Sequence, residues 1–382
     1  MILGKINNRL IKKEVSCMDK KFRVTADKVT KLSILAVLSG YKKAESISLN
    51  EPLSSDPNEM SNFINFLLNH ERFSPIKFKL KINYTPQKKF YDKTIKNKII
   101  ILASGGIDST AAILYHLDKG IKPLLISLDF GQFNNKREGT LINRIARKLR
   151  LKHIRFKVDI AKEVINGWKQ WEYIVPARNF MIASFGAMVL DYLKSNGKII
   201  LAATEEEIRH INPGPDKSKR FYKFCTKFYS REYGKNIQLW TPFKHCTKTE
   251  ILSIWKNKWL KKYKISPYET STCYRGIECG ECNSCFKRSL AFLAAGFDLD
   301  KNMKINPFNA NKDKTMNYLN RISSKNSTFT DKRRIDTLVA YIVADNKGLL
   351  SEDVSINLHK LEKRYKSKIS AKINELKINN SK

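Results

Sequence analysis

Apolar and polar positions alternate strictly along Lys77-Phe-Lys-Leu-Lys-Ile-Asn-Tyr84, which predicts a half-exposed strand. From residue 97 the pattern changes to short apolar runs separated by longer stretches of helical spacing. Lys98-Ile-Ile-Ile-Leu102 predicts a buried strand, and Ala111–Leu117 predicts a helix. Lys122–Leu128 predicts a second strand, Asn135–Leu151 a helix, and His153–Asp159 a third strand. Phe180–Leu193 predicts a helix and Lys198–Ala203 a fourth strand. This alternation implies an α/β class with a doubly wound parallel sheet covered by helices on both faces. Ligands of such sheets sit beyond the carboxyl ends of the strands. Near the C-terminus, Asp331–Asn346 and Glu352–Leu376 carry apolar residues at helical spacing among many lysines. The organisation therefore reads as an N-terminal segment (1–95), a central α/β domain (96–300) and a mainly helical basic C-terminal segment (301–382), with no internal repeat.

Composition narrows the class. A chain of 382 residues with 42% apolar side chains can bury a sizeable core. The longest apolar stretch, Phe180–Leu190, is too short to span a bilayer. Lys5 and Arg9 are followed by no apolar run, so no signal peptide is expected and the expected location is cytoplasmic. Seven cysteines in such a chain point to reduced thiols or a metal rather than disulfides. The formal net charge of +36 is spread over all three segments. Richness in Lys, Asn and Ile fits a compositional bias of the source. The same charge also suits a protein or nucleic-acid partner attracted through the basic end segments.

The densest chemical signal is Leu102-Ala-Ser-Gly-Gly-Ile-Asp-Ser-Thr-Ala-Ala112, placed between the first buried strand and its helix. Gly105 and Gly106 permit positive φ and lack a Cβ, so backbone N–H groups can approach an anion. Ser109 and Thr110 lie near the helix start, where unpaired amides and the helix dipole favour negative charge. The pattern is neither Gly-x-x-x-x-Gly-Lys-[Ser/Thr] nor Gly-x-Gly-x-x-Gly. It resembles the Ser-Gly-Gly-x-Asp-Ser loop of the ATP pyrophosphatases, which cleave ATP between its α- and β-phosphates.

The second signal is Cys273-x5-Cys279-x2-Cys282-x2-Cys285. Four thiolates at this spacing describe a closed tetrahedral zinc site, an iron–sulfur cluster being the other reading. Gly276 and Gly280 suit the tight turns that such a loop needs. Cys17, Cys225 and Cys246 stand alone and read as buried apolar side chains.

In order along the chain come Ser104-Gly-Gly-Ile-Asp-Ser-Thr110, Asp129-Phe-Gly-Gln132, Val175-Pro-Ala-Arg-Asn179, Thr247-Lys-Thr-Glu250, Cys273-Tyr274 and Cys279-Gly-Glu-Cys-Asn-Ser-Cys285. This order resembles the 7-cyano-7-deazaguanine synthase family over about residues 97–300. The resemblance implies an adenine nucleotide α-hydrolase-like fold with a zinc-binding loop. It implies an ATP-dependent ligase, with ATP, Mg2+ and Zn2+ as cofactors and a deazaguanine and ammonia as substrates. Leu102 through Ala112 would hold the nucleotide, with backbone amides of Ser104, Gly105, Gly106, Ile107, Asp108 and Ser109 on the departing pyrophosphate. Asp108 would hold magnesium or orient the loop. Lys248 would meet phosphate charge, although a solvated surface lysine fits the sequence as well. Arg178 and Asn179 open a helix and would contact substrate or nucleotide, with local pairing the alternative for Arg178. Gln132 would close over the adenine or cap a turn.

Three features depart from the family pattern. The spacing between the first two cysteines is shorter. The substrate loop of the family reads close to Tyr-Pro-Asp-Cys-Arg-Pro-Glu-Phe, where this chain has Gly214-Pro-Asp-Lys-Ser-Lys-Arg-Phe221. Asp216 is kept as a candidate for the guanine edge. The arginine position falls on Ser218, leaving Lys217, Lys219 or Arg220 to hold the far end of the ligand. The end segments are also additional. Extended relatives of this kind occur in anti-phage operons, which suggests as the alternative a defence component that attaches or recognises a deazaguanine on a protein or nucleic acid.

Overall fold

The computed structural model describes residues 2–3, 11–14, 27–42, 46–68, 79–84, 97–129, 135–158, 175, 177–209, 215–273, 275, 278–310, 312–324 and 330–378. The chain divides into two compact units. One comprises Met1–Ser104, Tyr115–Ala203 and Glu207–Pro242; the other comprises Gly105–Leu114, Thr204–Glu206 and Phe243–Lys382.

The strands in chain order are β1 (Ile2–Leu3), β2 (Ile11–Glu14), β3 (Ser46–Leu53), β4 (Lys79–Tyr84), β5 (Asn97–Leu102), β6 (Leu124–Asp129), β7 (His153–Val158), β8 (Asn196–Ile200) and β9 (Ile237–Trp240). In the first unit six of them form one sheet in the order β2-β7-β6-β5-β8-β9. Five of these strands are parallel, and β2 adds antiparallel to β7 at the edge. The parallel part begins at the central β5, winds outward through β6 and β7, and returns beside β5 as β8. This is the doubly wound order that the strand–helix alternation predicts. The point of reversal lies between β5 and β8, so the loop following Leu102 starts where ligands of such sheets bind.

Element limits shift for local reasons. The fourth strand begins at Asn196, two residues before the apolar run, because Asn196 and Gly197 pair with Asn97 and Lys98. A Cβ on Gly197 would lie 2.1 Å from the Lys98 carbonyl oxygen, so only glycine permits that pairing. The helix from Asn135 ends at Lys148 rather than Leu151. There Arg150 adopts φ 52° and the Leu151 N–H closes onto the Ala146 carbonyl at 2.8 Å. Strands β2 and β9 escape the apolar pattern because each has only four residues. Lys77 and Phe78 lie outside the described residues; the remainder of the alternating segment is β4, which pairs parallel to β3 in a three-stranded sheet of order β1-β3-β4.

Helix α1 is Lys28–Lys42, α2 Pro57–Leu68, α3 Ile107–Asp118, α4 Asn135–Lys148, α5 Arg178–Tyr192 and α6 Lys219–Tyr233; α1, α2, α5 and α6 share one core in the first unit. Phe63 of α2 stacks on Phe224 with ring centroids 3.6 Å apart and meets Phe180 edge-on at 5.5 Å. The edge contact adds to the burial of these large rings. Glu232 accepts the Ser54 N–H at 3.0 Å and pairs with Lys28 at 3.1 Å. Residues from before the α/β pattern are thus built into the core of the sheet unit.

The second unit is helical. Its main helices are α7 (Lys248–Ile254), α8 (Asn283–Ala294), α9 (Lys312–Ser323), α10 (Asp331–Asn346) and α11 (Glu352–Ile378). Helix α10 has the limits that its spacing predicts. Thr330 caps it, its hydroxyl accepting the Arg333 N–H at 3.3 Å. Phe286, Leu290 and Leu293 of α8 share a core with Leu319 and Ile322 of α9, Leu338 and Tyr341 of α10, and Leu358 of α11. Among the described residues no helix is long and apolar enough to cross a membrane.

Candidate functional site

The loop after β5 is anchored at its start and turned by one glycine. The Ala103 N–H donates to the Ile126 carbonyl of β6 at 2.7 Å, which commits that amide to the sheet. Gly105 alone of the glycine pair takes a positive φ, at 74°, so Gly106 does not need the left-handed freedom expected of both. The Gly105 carbonyl accepts the Ser271 N–H at 2.9 Å, which ties the loop to the segment just before Cys273. Helix α3 begins at Ile107, four residues ahead of the helical spacing that starts at Ala111. Ile107, Asp108 and Ser109 therefore form its first turn, whose amides have no intrahelical carbonyl to bind. Thr110 N–H already bonds the Gly106 carbonyl at 3.1 Å. Of the stretch from Leu102 to Ala112, the outer residues Leu102, Ala111 and Ala112 are buried and serve as scaffold.

Asp108 and Lys248 meet. The Lys248 ammonium lies 3.1 Å from Asp108 Oδ2, with the lysine side chain 32% exposed and the aspartate 18%. The other oxygen, Asp108 Oδ1, is buried with no hydrogen-bond partner among the described residues, and so is Thr110 Oγ1. A buried carboxylate oxygen left unsatisfied is costly unless something else binds it. That oxygen fits a magnesium ligand, since Mg2+ takes hard oxygen donors.

Lys248 owes its place to the start of α7. Thr247 is the N-cap, its hydroxyl accepting the Glu250 N–H at 3.2 Å while Glu250 Oε2 accepts the Thr247 N–H at 2.8 Å. This reciprocal capping box fixes the first turn on which Lys248 stands. The Thr247 hydroxyl donates in turn to Asp336 Oδ2 of α10 at 2.5 Å. Burial pushes the Asp336 carboxyl up to about 6, against the opposing pull of that hydroxyl. Lys332, also on α10, pairs with Glu250 at 3.1 Å. Arg333 pairs with Glu206 at 2.8 Å. These supporting residues were not among the sequence candidates. The Thr-x-x-Glu spacing is a legible signal for the capping box, whereas Asp336 carries none.

In the sheet unit, Asp216 Oδ2 accepts the Asn179 N–H at 3.2 Å, which joins two of the candidate substrate residues. Arg178 opens α5, following Ala177 at φ 51°. Its side chain makes no hydrogen bond or ion pair among the described residues. Ser218, at the position of the family's arginine, is the N-cap of α6. Its hydroxyl accepts the Phe221 N–H at 3.3 Å and donates to the Pro215 carbonyl at 2.7 Å. Lys217 is engaged by Glu207 at 2.6 Å, and the Arg220 guanidinium lies 4.3 Å from the Phe66 ring centroid. Asp129 pairs with Arg155 at 2.6 Å. Gln132, Gly276 and Cys17 lie outside the described residues.

The four predicted metal cysteines come together. The Sγ atoms of Cys273, Cys279, Cys282 and Cys285 all lie within 4.8 Å of one another. Cys279 and Cys285 are 3.9 Å apart, and Cys273 and Cys282 4.0 Å. Tetrahedral zinc with Zn–S bonds of about 2.3 Å sets sulfurs roughly 3.8 Å apart, so the cluster fits that ion. Gly280 has φ 81°, and a Cβ there would lie 2.0 Å from the Ile305 carbonyl oxygen. The short spacing thus still closes four ligands. One helical turn beyond, the buried Arg288 donates to the Thr270 and Pro267 carbonyls and pairs with Asp300 at 3.0 Å. It therefore fixes the strand of chain whose Ser271 holds Gly105.

The chain matches the family model described as Queuosine biosynthesis protein QueC over residues 98–296. It is 26% identical over 229 residues to 7-cyano-7-deazaguanine synthase 2 of Sulfurisphaera tokodaii, an alignment covering 54% of this chain and 48% of that protein. The chain thus spans about half the length of that relative. Against the 7-cyano-7-deazaguanine synthase of Methanocaldococcus jannaschii it is 30% identical over 234 residues, 53% of this chain and 97% of the other. The synthase of Leptospira interrogans is 25% identical over 233 residues, 55% of this chain and 93% of the other. None of these relatives lends support to the defence alternative.

Proposed function

Because the chain belongs to the QueC family of queuosine biosynthesis proteins, we propose that it condenses 7-carboxy-7-deazaguanine with ammonia to 7-cyano-7-deazaguanine, cleaving ATP to AMP and pyrophosphate. The observation that carries this reading is the Asp108–Lys248 pair beside the Ser-Gly-Gly loop, with one buried Asp108 oxygen left to a metal.

The chemistry needs no protein nucleophile. A substrate carboxylate oxygen attacks the α-phosphorus, the α–β bridge bond breaks, and pyrophosphate leaves, giving an acyl-adenylate. Ammonia adds to the acyl carbon, loses a proton and expels AMP, giving the amide. The amide oxygen attacks a second ATP in the same way. Loss of that AMP with two N–H protons gives the nitrile. Catalysis then rests on positioning and on stabilising charge that moves onto the phosphates. Amides of the Ser104–Ser109 stretch and the α3 N-terminus would take the departing pyrophosphate. The Lys248 ammonium would offset charge on the bridging and non-bridging oxygens. Magnesium held by Asp108 would supply charge neutralisation when bound. Zinc on the four cysteines would hold the loop structurally, and Ser271 would pass that order to Gly105. Asp216 would accept the donors of the guanine edge, and Arg178, beside Asn179, would meet the substrate.

The test is mass spectrometry of the protein incubated with ATP, ammonium and 7-carboxy-7-deazaguanine. Nitrile formation is expected. A deazaguanine left unchanged, with ATP intact, would overturn the reading.

A further inference from the structure

Three side chains on successive faces of one turn of α10 grip the elements around Lys248. Asp336 binds the N-cap hydroxyl of α7, Lys332 binds the outer oxygen of the capping glutamate, and Arg333 binds Glu206. The family match ends at residue 296, so all three lie in added chain. Asp336 is 6% exposed. Lys372 of α11 stands 3.9 Å from its other oxygen. Helices α10 and α11 are themselves fixed by the core they share with α8.

The direction of the hydrogen bonds matters. A threonine hydroxyl has one proton and two lone pairs. With its proton committed to Asp336, the Thr247 oxygen presents a lone pair to the Glu250 N–H. The capping box is then locked in one orientation, and the first turn of α7 cannot rotate Lys248 away from Asp108 without breaking a buried bond to a carboxylate. We propose that α10, through Asp336, is a positioning element that sets the Lys248 ammonium for ATP. The added C-terminal segment is thereby part of the nucleotide site. This rests on the reading of that site as an ATP site, and it does not require that the product be a nitrile.

The experiment is a double-mutant cycle read by calorimetric binding of Mg2+·ATP to the full chain. Lys248→Met should weaken binding. Asp336→Ala should weaken it roughly 10-fold, the size expected for a lost buried bond to a charged group. Asp336→Asn keeps an acceptor for the Thr247 hydroxyl and should retain most of the affinity. The double variant Lys248→Met/Asp336→Ala should bind no more weakly than Lys248→Met alone, because residues that act through one another are not additive. A purely structural role would give losses that multiply, and that result would overturn the proposal. Wild-type affinity in folded Asp336→Ala would overturn it as well. If wild type binds ATP and the cycle is non-additive but no nitrile forms, the positioning role stands and the synthase reading falls. If wild type binds no ATP, both fall.

Discussion

Lys248 and Asp108 form an ion pair with Nζ 3.1 Å from Oδ2, one at the first position of α7 and the other in the first turn of α3. The pair holds the lysine ready while leaving Asp108 Oδ1 buried and unsatisfied. Replacing Asp108 with Ala removes both that oxygen, proposed as the magnesium ligand, and the lysine's anchor. Turnover of ATP to AMP and pyrophosphate should fall at least ~100-fold, the scale of losing one preorganised charge contact in a transition state. Product analysis by phosphorus-31 NMR checks the bond cleaved. Release of ADP and phosphate would contradict the assignment.

The cysteine cluster predicts one zinc per chain. Closed thiolate sites contribute their binding energy to folding. Cys282→Ser should therefore lower the melting temperature and the yield of folded protein. Because Ser271 joins this region to Gly105, zinc-depleted protein should also bind ATP more weakly. Elemental analysis of purified protein gives the metal content. Metal-free protein of unchanged stability would rule the site out.

The proposed function assigns Asp216 to the deazaguanine rather than to ATP. Asp216→Ala should raise the KM for the deazaguanine at least ~10-fold, while the affinity for ATP stays unchanged, as expected when a site loses the partner of a substrate N–H. An equal loss for both ligands would show instead that the Asn179–Asp216 bond only holds the start of α5.

Much of this was legible in the chain. The β5–loop–α3 unit is readable because apolar runs, glycines and helical spacing follow one another without interruption, and the cysteines because their spacing is chemically restrictive. The strand β9 was not, since Ile237-Gln-Leu-Trp240 is too short to show a period. The built-in N-terminal elements were missed because the contacts that matter are long-range, such as Phe63 on Phe224 and Glu232 on Ser54. Ser218 illustrates the limit of motif comparison. Its departure from the family arginine is explained by an N-cap, which only the backbone course of α6 reveals.

His153 gives a pH prediction. Its ring lies between Ser127 Oγ at 2.8 Å and Asn143 Oδ1 at 2.6 Å. Burial first, and the nearby Arg155 second, push its pKa from 6.5 down to about 4. Above 6.5 the ring is neutral in both states and contributes no pH dependence. As the pH falls from there to about 4, the unfolded chain takes up a proton that the folded chain refuses. Stability should fall through that window, by at most about 3 kcal/mol, and then level off. His153→Gln should flatten this part of the curve in denaturant titrations. An unchanged slope would refute the assignment.

The most direct test of the central claim uses 7-carboxy-7-deazaguanine labelled with oxygen-18 in both carboxylate oxygens, with ATP and ammonium. The adenylation route transfers one labelled oxygen to AMP in forming the amide and the other to a second AMP in forming the nitrile. Mass spectrometry should find two singly labelled AMP molecules for each nitrile. Unlabelled AMP, or label appearing in inorganic phosphate beside ADP, would contradict the account.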